Sequence, residues 1–159
     1  RLGADRWFAA LGAASQYFGN SIVVVQFGTA TTVDEINFER DRYVFLGGRI
    51  APGIDVMFKS LQERIPALNV SSGELVDFPK NTEDAVTTGI IECQIGLIKN
   101  AIEKLKKKSD YAPVIVVLTG GGIESYEALH QCAVDHMPRA HINTNLVLKG
   151  LALEAQNKR

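Results

Sequence analysis

The chain has 159 residues, 46% of them apolar and 22% charged, with a formal net charge of −1. That length and balance describe one globular domain with a real core and exclude a disordered segment. A near-neutral charge supplies no field to hold nucleic acid or an anionic membrane, and no apolar run approaches the roughly 18 residues that cross a bilayer.

In chain order, Asp5 to Phe18 reads as a helix with Trp7, Leu11, Ala14 and Phe18 on one face, stopped by Gly19-Asn20. Charges interrupt the only apolar stretch of 1–12, so it is not a signal peptide. An opening of Arg-Leu-Gly-Ala-Asp without Met points to a piece of a longer protein. Ser21 to Phe27 is a β-branched run that fits a buried strand. The turn Gly28-Thr29-Ala30 leads into a second strand over Thr31 to Ile36. Charged residues 39–42 make the next turn, and a third strand runs from Tyr43 to about Pro52. Three short strands in succession predict an antiparallel meander.

Ile54, Met57, Phe58, Leu61 and Ile65 mark an amphipathic helix that stops at Pro66, and Leu68 to Pro79 has no period and reads as loop. Asn81 or Thr82 caps a long helix with the stripe Ile91, Ile95, Ile98, Ile102, Leu105. A second apolar set, Val86, Ile90, Leu97 and Ala101, flanks that stripe and leads us to expect a subunit interface along Glu83 to Lys108. Lys104 and Lys106 to Lys108 suit the negative end of the helix dipole and otherwise read as a solvated face. Val114 to Leu118 is a buried strand with Thr119-Gly120-Gly121-Gly122 at its carboxyl end. A helix over Ile123 to Ala133, a short strand over Ala140 to Ile142 and a helix from Leu146 complete the chain. With no repeat or linker, residues 1–159 read as one α/β domain. The element order predicts a mixed sheet, an antiparallel meander with helices packed on it, as in one half of an actin-like or ribonuclease-H-like ATPase fold.

Few residues carry chemistry. Gly28-Thr29-Ala30-Thr31-Thr32 suits either a phosphate cradle, with backbone N–H groups and three hydroxyls aimed at an anion, or a plain Thr-rich hairpin. Thr119 to Gly122 lies where α/β sheets place nucleotides but has neither dinucleotide nor P-loop spacing, so nucleotide contact and simple turn both stand. Asp5 is either a helix cap or dipole partner, or a general base beside an anion-orienting Arg6. Asp34 and Asp55 are lesser candidates, with solvated surface the default reading of both. His130, His136 and His141 lack metal spacing, and no Ser or Cys has a His/Asp constellation around it. Cys93 and Cys132, the only cysteines, support neither a disulfide framework nor a zinc site, so a reducing, cytoplasmic compartment fits. Neither a basic helix-turn-helix nor a basic stripe is present, and no nucleic acid or membrane partner is expected.

Taken together, Leu2-Gly-Ala-Asp-Arg6, Phe27-Gly-Thr-Ala-Thr-Thr32 with Asp34, Gly47-Gly-Arg-Ile-Ala-Pro-Gly53, Lys80-Asn-Thr82 with Asp84-Ala85, Thr119-Gly-Gly-Gly122 and Leu146-Val-Leu-Lys-Gly-Leu151 resemble type III pantothenate kinases, in that family's order. The resemblance covers essentially the whole chain and matches the family's C-terminal half. It implies an actin-type fold, a homodimer, pantothenate and ATP as substrates, and use of Mg²⁺ and a monovalent cation (K⁺ or NH₄⁺). Position by position it makes Asp5 the base on the pantothenate hydroxyl, with Gly3 and Arg6 binding that substrate. Gly28, Thr29, Thr31 and Thr32 then face the phosphates, Thr82 reaches pantothenate from the partner subunit, and Gly120 and Gly121 border the nucleotide. Two features depart from the family. The upstream Asp-x-Gly-Asn-Thr strand is not in this sequence, and Gln26 stands where the family has an Asp that attends the cation. The chain alone is therefore expected to turn over poorly. A catalytically silent regulatory or scaffold relative is the alternative. A sugar or acetate kinase is a third, against which Lys80-Asn-Thr82 argues.

Overall fold

A computed structural model describes residues 2–65, 73–110, 112–122, 137 and 140–157. The elements are α1 (Ala4–Gln16), β1 (Ser21–Phe27), β2 (Ala30–Glu39), β3 (Arg42–Pro52), α2 (Ile54–Arg64), α3 (Thr82–Lys108), β4 (Val114–Thr119), β5 (Ala140–Ile142) and α4 (Leu146–Asn157). The expected helix over 123–133, with His130, Cys132 and His136, lies outside the described residues. No helix among the described residues is long and apolar enough to cross a membrane.

The five strands form one sheet in the order β3-β2-β1-β4-β5. The meander is antiparallel, while β1 and β4 run parallel, as do β4 and β5. Arg40 and Asp41, with φ of 51° and 60°, turn β2 into β3 with the twist that tight hairpins favour. The central strand shows why its sequence is apolar throughout. Val23, Val25 and Phe27 pack under α2 and α3, while Ile22 and Val24 pack under α1 and α4. Covered on both faces, β1 needs no polar alternation.

α3 begins as expected. The Asn81 carboxamide accepts from the Asp84 N–H at 2.8 Å and donates back to the Asp84 carboxylate at 2.7 Å, so Asn81 is the cap and Thr82 the first helical residue. The second apolar set is used differently from the expectation. Ile90 and Ala101 are buried, and Val86 and Leu97 are partly buried against the same core. α3 packs against the sheet and also meets Met57, Phe58 and Leu61 of α2, so a wide arc of it is covered within the chain. That set therefore supplies no evidence for a subunit interface. Cys93, on the same helix, is exposed.

α1 also departs from its predicted face. Trp7 is 46% exposed and Phe18, beyond the helix, 70% exposed, while Ala9, Ala10 and Ala13 are buried. The reason is a close crossing with α4. A Cβ on Gly150 would run into the Phe8 carbonyl, and one on Gly12 would lie 3.2 Å from the Gly150 nitrogen. Only small residues fit such a seam, so the bulky ones turn outward, and Phe18 instead meets Phe38 edge to face with ring centroids 5.3 Å apart. Gly150→Ala should therefore destabilise the fold by about 1–3 kcal/mol through overpacking, read as a lower urea midpoint. An unchanged midpoint would show that the helices separate freely.

Candidate active site

The parallel pairing of β1 with β4 brings their carboxyl ends side by side, Gln26 opposite Thr119. Beyond those ends lie the Gly28-Thr29 turn and the three glycines after Thr119. Gly120 has a φ of 95° and lies so close to the Phe27 backbone that a Cβ there would collide with it. A Cβ on Gly122 would come within 3.1 Å of the Phe27 side chain. Close approach of two strand ends thus accounts for two of the three glycines.

The first turn of α1 arrives at the same edge. Between them is a cleft of about 470 Å³ that brings together Gly3, Asp5, Arg6, Gln26, Gly28, Thr32, Gly120 and Gly121. Eight of the eleven residues singled out from sequence therefore share one cavity. Thr29 and Thr31 line a neighbouring cavity of about 230 Å³ with Ile54, Asp55 and Gly122. Alternation along β2 separates Thr31 from Thr32, since consecutive strand residues face opposite sides of the sheet. Thr82 lies elsewhere, in an open, mostly apolar groove between α2 and α3 lined by Met57, Leu61, Val86 and Ile90.

Asp5 is exposed and sits in the first turn of α1, whose N-cap is Gly3 with no capping side chain. The cap reading of Asp5 is thereby removed, and the dipole-partner reading remains beside the catalytic one. Arg6 is held in place. Its Nε donates to both carboxylate oxygens of Asp34, at 3.0 and 3.1 Å, and its Nη2 donates to the same carboxylate. The hydrogen bond to Asp34 is the main cause of a guanidinium pKa raised above its ordinary value; burial opposes it and the Coulomb attraction of Asp34 adds to it. The pair consumes part of the donor fork and aims the rest, leaving Nη1 without a hydrogen bond to any described residue.

Asp34 corrects the expectation of a solvated surface carboxylate: it is fully buried. It stands two residues from Thr32 on β2, on the face that α1 covers, directly under Arg6. Its place between Val33 and Ile36 on β2 was the legible hint, because a carboxylate drawn into the core with such neighbours is buried only when paired. Gly48 is its silent counterpart. It lies opposite Asp34 on β3, and a Cβ there would overlap both the Asp34 carboxylate and the Arg6 guanidinium.

Three polar atoms at this edge are buried without a hydrogen-bond partner among the described residues: Gln26 Nε2, Thr32 Oγ1 and Thr31 Oγ1. Natural cores rarely leave such groups unmatched, so a ligand that hydrogen-bonds is the expected match. His141, by contrast, is exposed and stacks on Tyr17 with centroids 5.0 Å apart, away from the cleft residues.

A family model described as type III pantothenate kinase matches residues 1–104. A type III pantothenate kinase of Dechloromonas aromatica is 40% identical over 151 residues, covering 95% of this chain and 58% of that protein. One from Chromobacterium violaceum is 41% identical over 119 residues, covering 75% and 48%. Among solved structures, a conserved Campylobacter jejuni protein described as a Baf family transcriptional activator superposes with a TM-score of 0.69 at 26% identity, covering 99% of this chain and 65% of that one. A ParM filament protein of Clostridium botulinum superposes with a TM-score of 0.51 at 12% identity, covering 94% and 51%, which shows the actin-like fold alone. The chain spans about half the length of the curated relatives it matches. With its actin-like sheet and a family match over most of its length, the chain belongs to the type III pantothenate kinase family.

Proposed function

We propose that the protein uses ATP to phosphorylate the primary hydroxyl of pantothenate, giving 4′-phosphopantothenate, the first step of coenzyme A synthesis, in the cytoplasm. The observation that carries this reading is the single cleft joining Asp5, Arg6, Thr32 and the two glycine turns. Asp5, exposed at the mouth, accepts the hydroxyl proton as the oxygen attacks the terminal phosphorus and the bond from that phosphorus to the ADP oxygen breaks, releasing ADP. Arg6, oriented by Asp34, binds the pantothenate carboxylate through its remaining donors. The Thr29 and Thr32 hydroxyls offer donors to the phosphates, while Gly28, whose N–H is taken by the Ala30 carbonyl, joins Gly120 and Gly121 in letting the nucleotide approach the backbone. Phosphoryl transfer asks mainly for such positioning and charge neutralisation.

No cluster of three or more metal-ligating side chains occurs among the described residues. The Thr32 hydroxyl is nevertheless a hard donor of the kind Mg²⁺ takes together with phosphate oxygens. Bound there, the metal would neutralise charge on the transferring phosphoryl group. A monovalent cation beside Gln26 would meet an amide rather than a carboxylate, so its hold is weak. Gln26→Asp should raise activity and make it steeply dependent on K⁺ or NH₄⁺. If rate and cation response are the same in both forms, Gln26 is not at a cation site.

Thr82 lies in a groove apart from the Asp5 cleft, so its contact with pantothenate requires a second copy of the chain, and the active form is a homodimer. The deciding experiment is a coupled ADP-release assay with pantothenate, run on the full-length protein and on this 159-residue chain. The full-length protein should turn over and the chain alone should not, because half a phosphate cradle loses most transition-state stabilisation. The description of the Campylobacter relative favours a second reading, a regulatory member of the family. A full-length protein that binds ATP but never consumes it with pantothenate would establish that reading instead.

A further inference from the structure

A glutamine in an apolar core needs a reason. Gln94 of α3 is 1% exposed, on the helix whose Ile91, Ile95 and Ile98 pack against the sheet. Its Nε2 donates to the Pro52 carbonyl at 3.1 Å and lies 3.1 Å from the Met57 sulfur, so one amide reaches the end of β3 and the start of α2. A carbonyl only accepts, so the NH₂ end of the amide must face it. The Oε1 atom has no hydrogen-bond partner among the described residues. The donor is used and the acceptor is not, so the grip on Pro52 is what this side chain contributes.

That grip falls next to the Gly28-Thr29 turn. Pro52 pairs with Ala30 across the ladder, and the following Gly53 N–H donates to the Thr29 carbonyl at 2.9 Å. Pro52 has no N–H of its own, so the end of this edge strand is fixed through its carbonyl and through Gly53. A Cβ on Gly53 would run into the Gly28 carbonyl and lie 2.8 Å from the Thr29 carbonyl oxygen. The turn is closed on its other side by the Gly28 N–H donating to the Ala30 carbonyl at 3.2 Å. With both bonds made, the backbone on either side of Thr29 is fixed, and so is the direction of its side chain. No α3 residue lines either cavity at the carboxyl edge, so Gln94 touches no substrate and acts through this backbone.

We propose that Gln94 is a positioning residue for the phosphate turn. By holding the Pro52 carbonyl it sets Gly53, and Gly53 sets the Thr29 carbonyl and aims the Thr29 hydroxyl at the phosphates of the donor. A hydroxyl held in place before the ligand arrives loses less freedom on binding. This rests on the reading of the Gly28-Thr29 turn as phosphate-facing.

Titration of the full-length protein with ATP and with inorganic triphosphate tests this without needing turnover. Gln94→Met keeps the volume and lacks the donor, and it should weaken both ligands roughly three- to tenfold, the size of one net hydrogen bond. Its melting temperature should barely move, because the lost bond is offset by removal of a buried acceptor without a partner. Thr29→Ala should weaken both ligands by a similar factor, and the double variant should bind no worse than Thr29→Ala alone, since the hydroxyl that Gln94 aims is already gone. Gln94→Leu also lacks the donor and should repeat the result if methionine packs poorly. If Gln94→Met and Gln94→Leu lower the melting temperature but bind triphosphate like the wild-type protein, or if their effects add in full to that of Thr29→Ala, Gln94 only fills the core. The expected pattern in a protein that never phosphorylates pantothenate would sink the kinase reading and leave the positioning role standing. A wild-type protein that binds neither ligand would sink both.

Discussion

Asp5→Asn in the full-length protein should lower kcat by about 10²–10⁴-fold, the usual loss when a general base is removed. Its melting temperature should barely move. The structure sharpens this contrast, because Asp5 is exposed and the α1 cap is Gly3, so no capping hydrogen bond is lost. What remains of its structural role is the attraction of one carboxylate to the helix N-terminus, about 0.3–1 kcal/mol at a surface position. The asparagine also keeps the shape of the side chain, so pantothenate binding should change far less than turnover. Steady-state kinetics with thermal melting of the same samples separates the outcomes. Unchanged kcat with a lowered melting temperature would return Asp5 to the role of dipole partner.

The largest stability effect should come from Asp34. Its carboxylate is fully buried and its one recorded partner among the described residues is the Arg6 guanidinium. Asp34→Ala would leave a partly desolvated cation without its counter-ion. Breaking such a pair typically costs 3–5 kcal/mol, and about 3 kcal/mol is expected here because the Arg6 side chain remains 18% exposed. Urea denaturation measures it directly. The double variant Arg6→Ala, Asp34→Ala should be more stable than Asp34→Ala alone, since it removes the stranded charge as well. Activity should fall in both, with the Michaelis constant for pantothenate rising as Arg6 loses its orientation or is removed. If Asp34→Ala melts like the wild-type protein, water reaches the pair and the buried-anchor account of Arg6 fails.

Gly48 follows from the same geometry. A strand pairs any two residues through the backbone, but only the residue opposite Asp34 must leave room for an ion pair. The Gly47-Gly48 dipeptide resembled a family motif in sequence, and the reason for Gly48 became visible only when the register was known.

The local pattern of residues was enough to determine the strands around Val23 and Val116, the meander, the capped start of α3 and the glycine turns at two strand ends. Each depends on interactions between residues close in sequence: β-branched runs, a 3.6-residue period, an Asn three residues before Asp84. Joining Asp5, Arg6, the Thr-rich turn and Gly120 into one candidate site required the order of motifs along the whole chain. What only the tertiary structure decided was which face of each element meets which neighbour. The close seam of Gly12 with Gly150 turned Trp7 outward, and α2 covered the second apolar set of α3. Strand register put Asp34 under Arg6 and sent Thr31 and Thr32 to opposite sides of the sheet. These outcomes depend on contacts between residues far apart in sequence, and no local period or propensity encodes them.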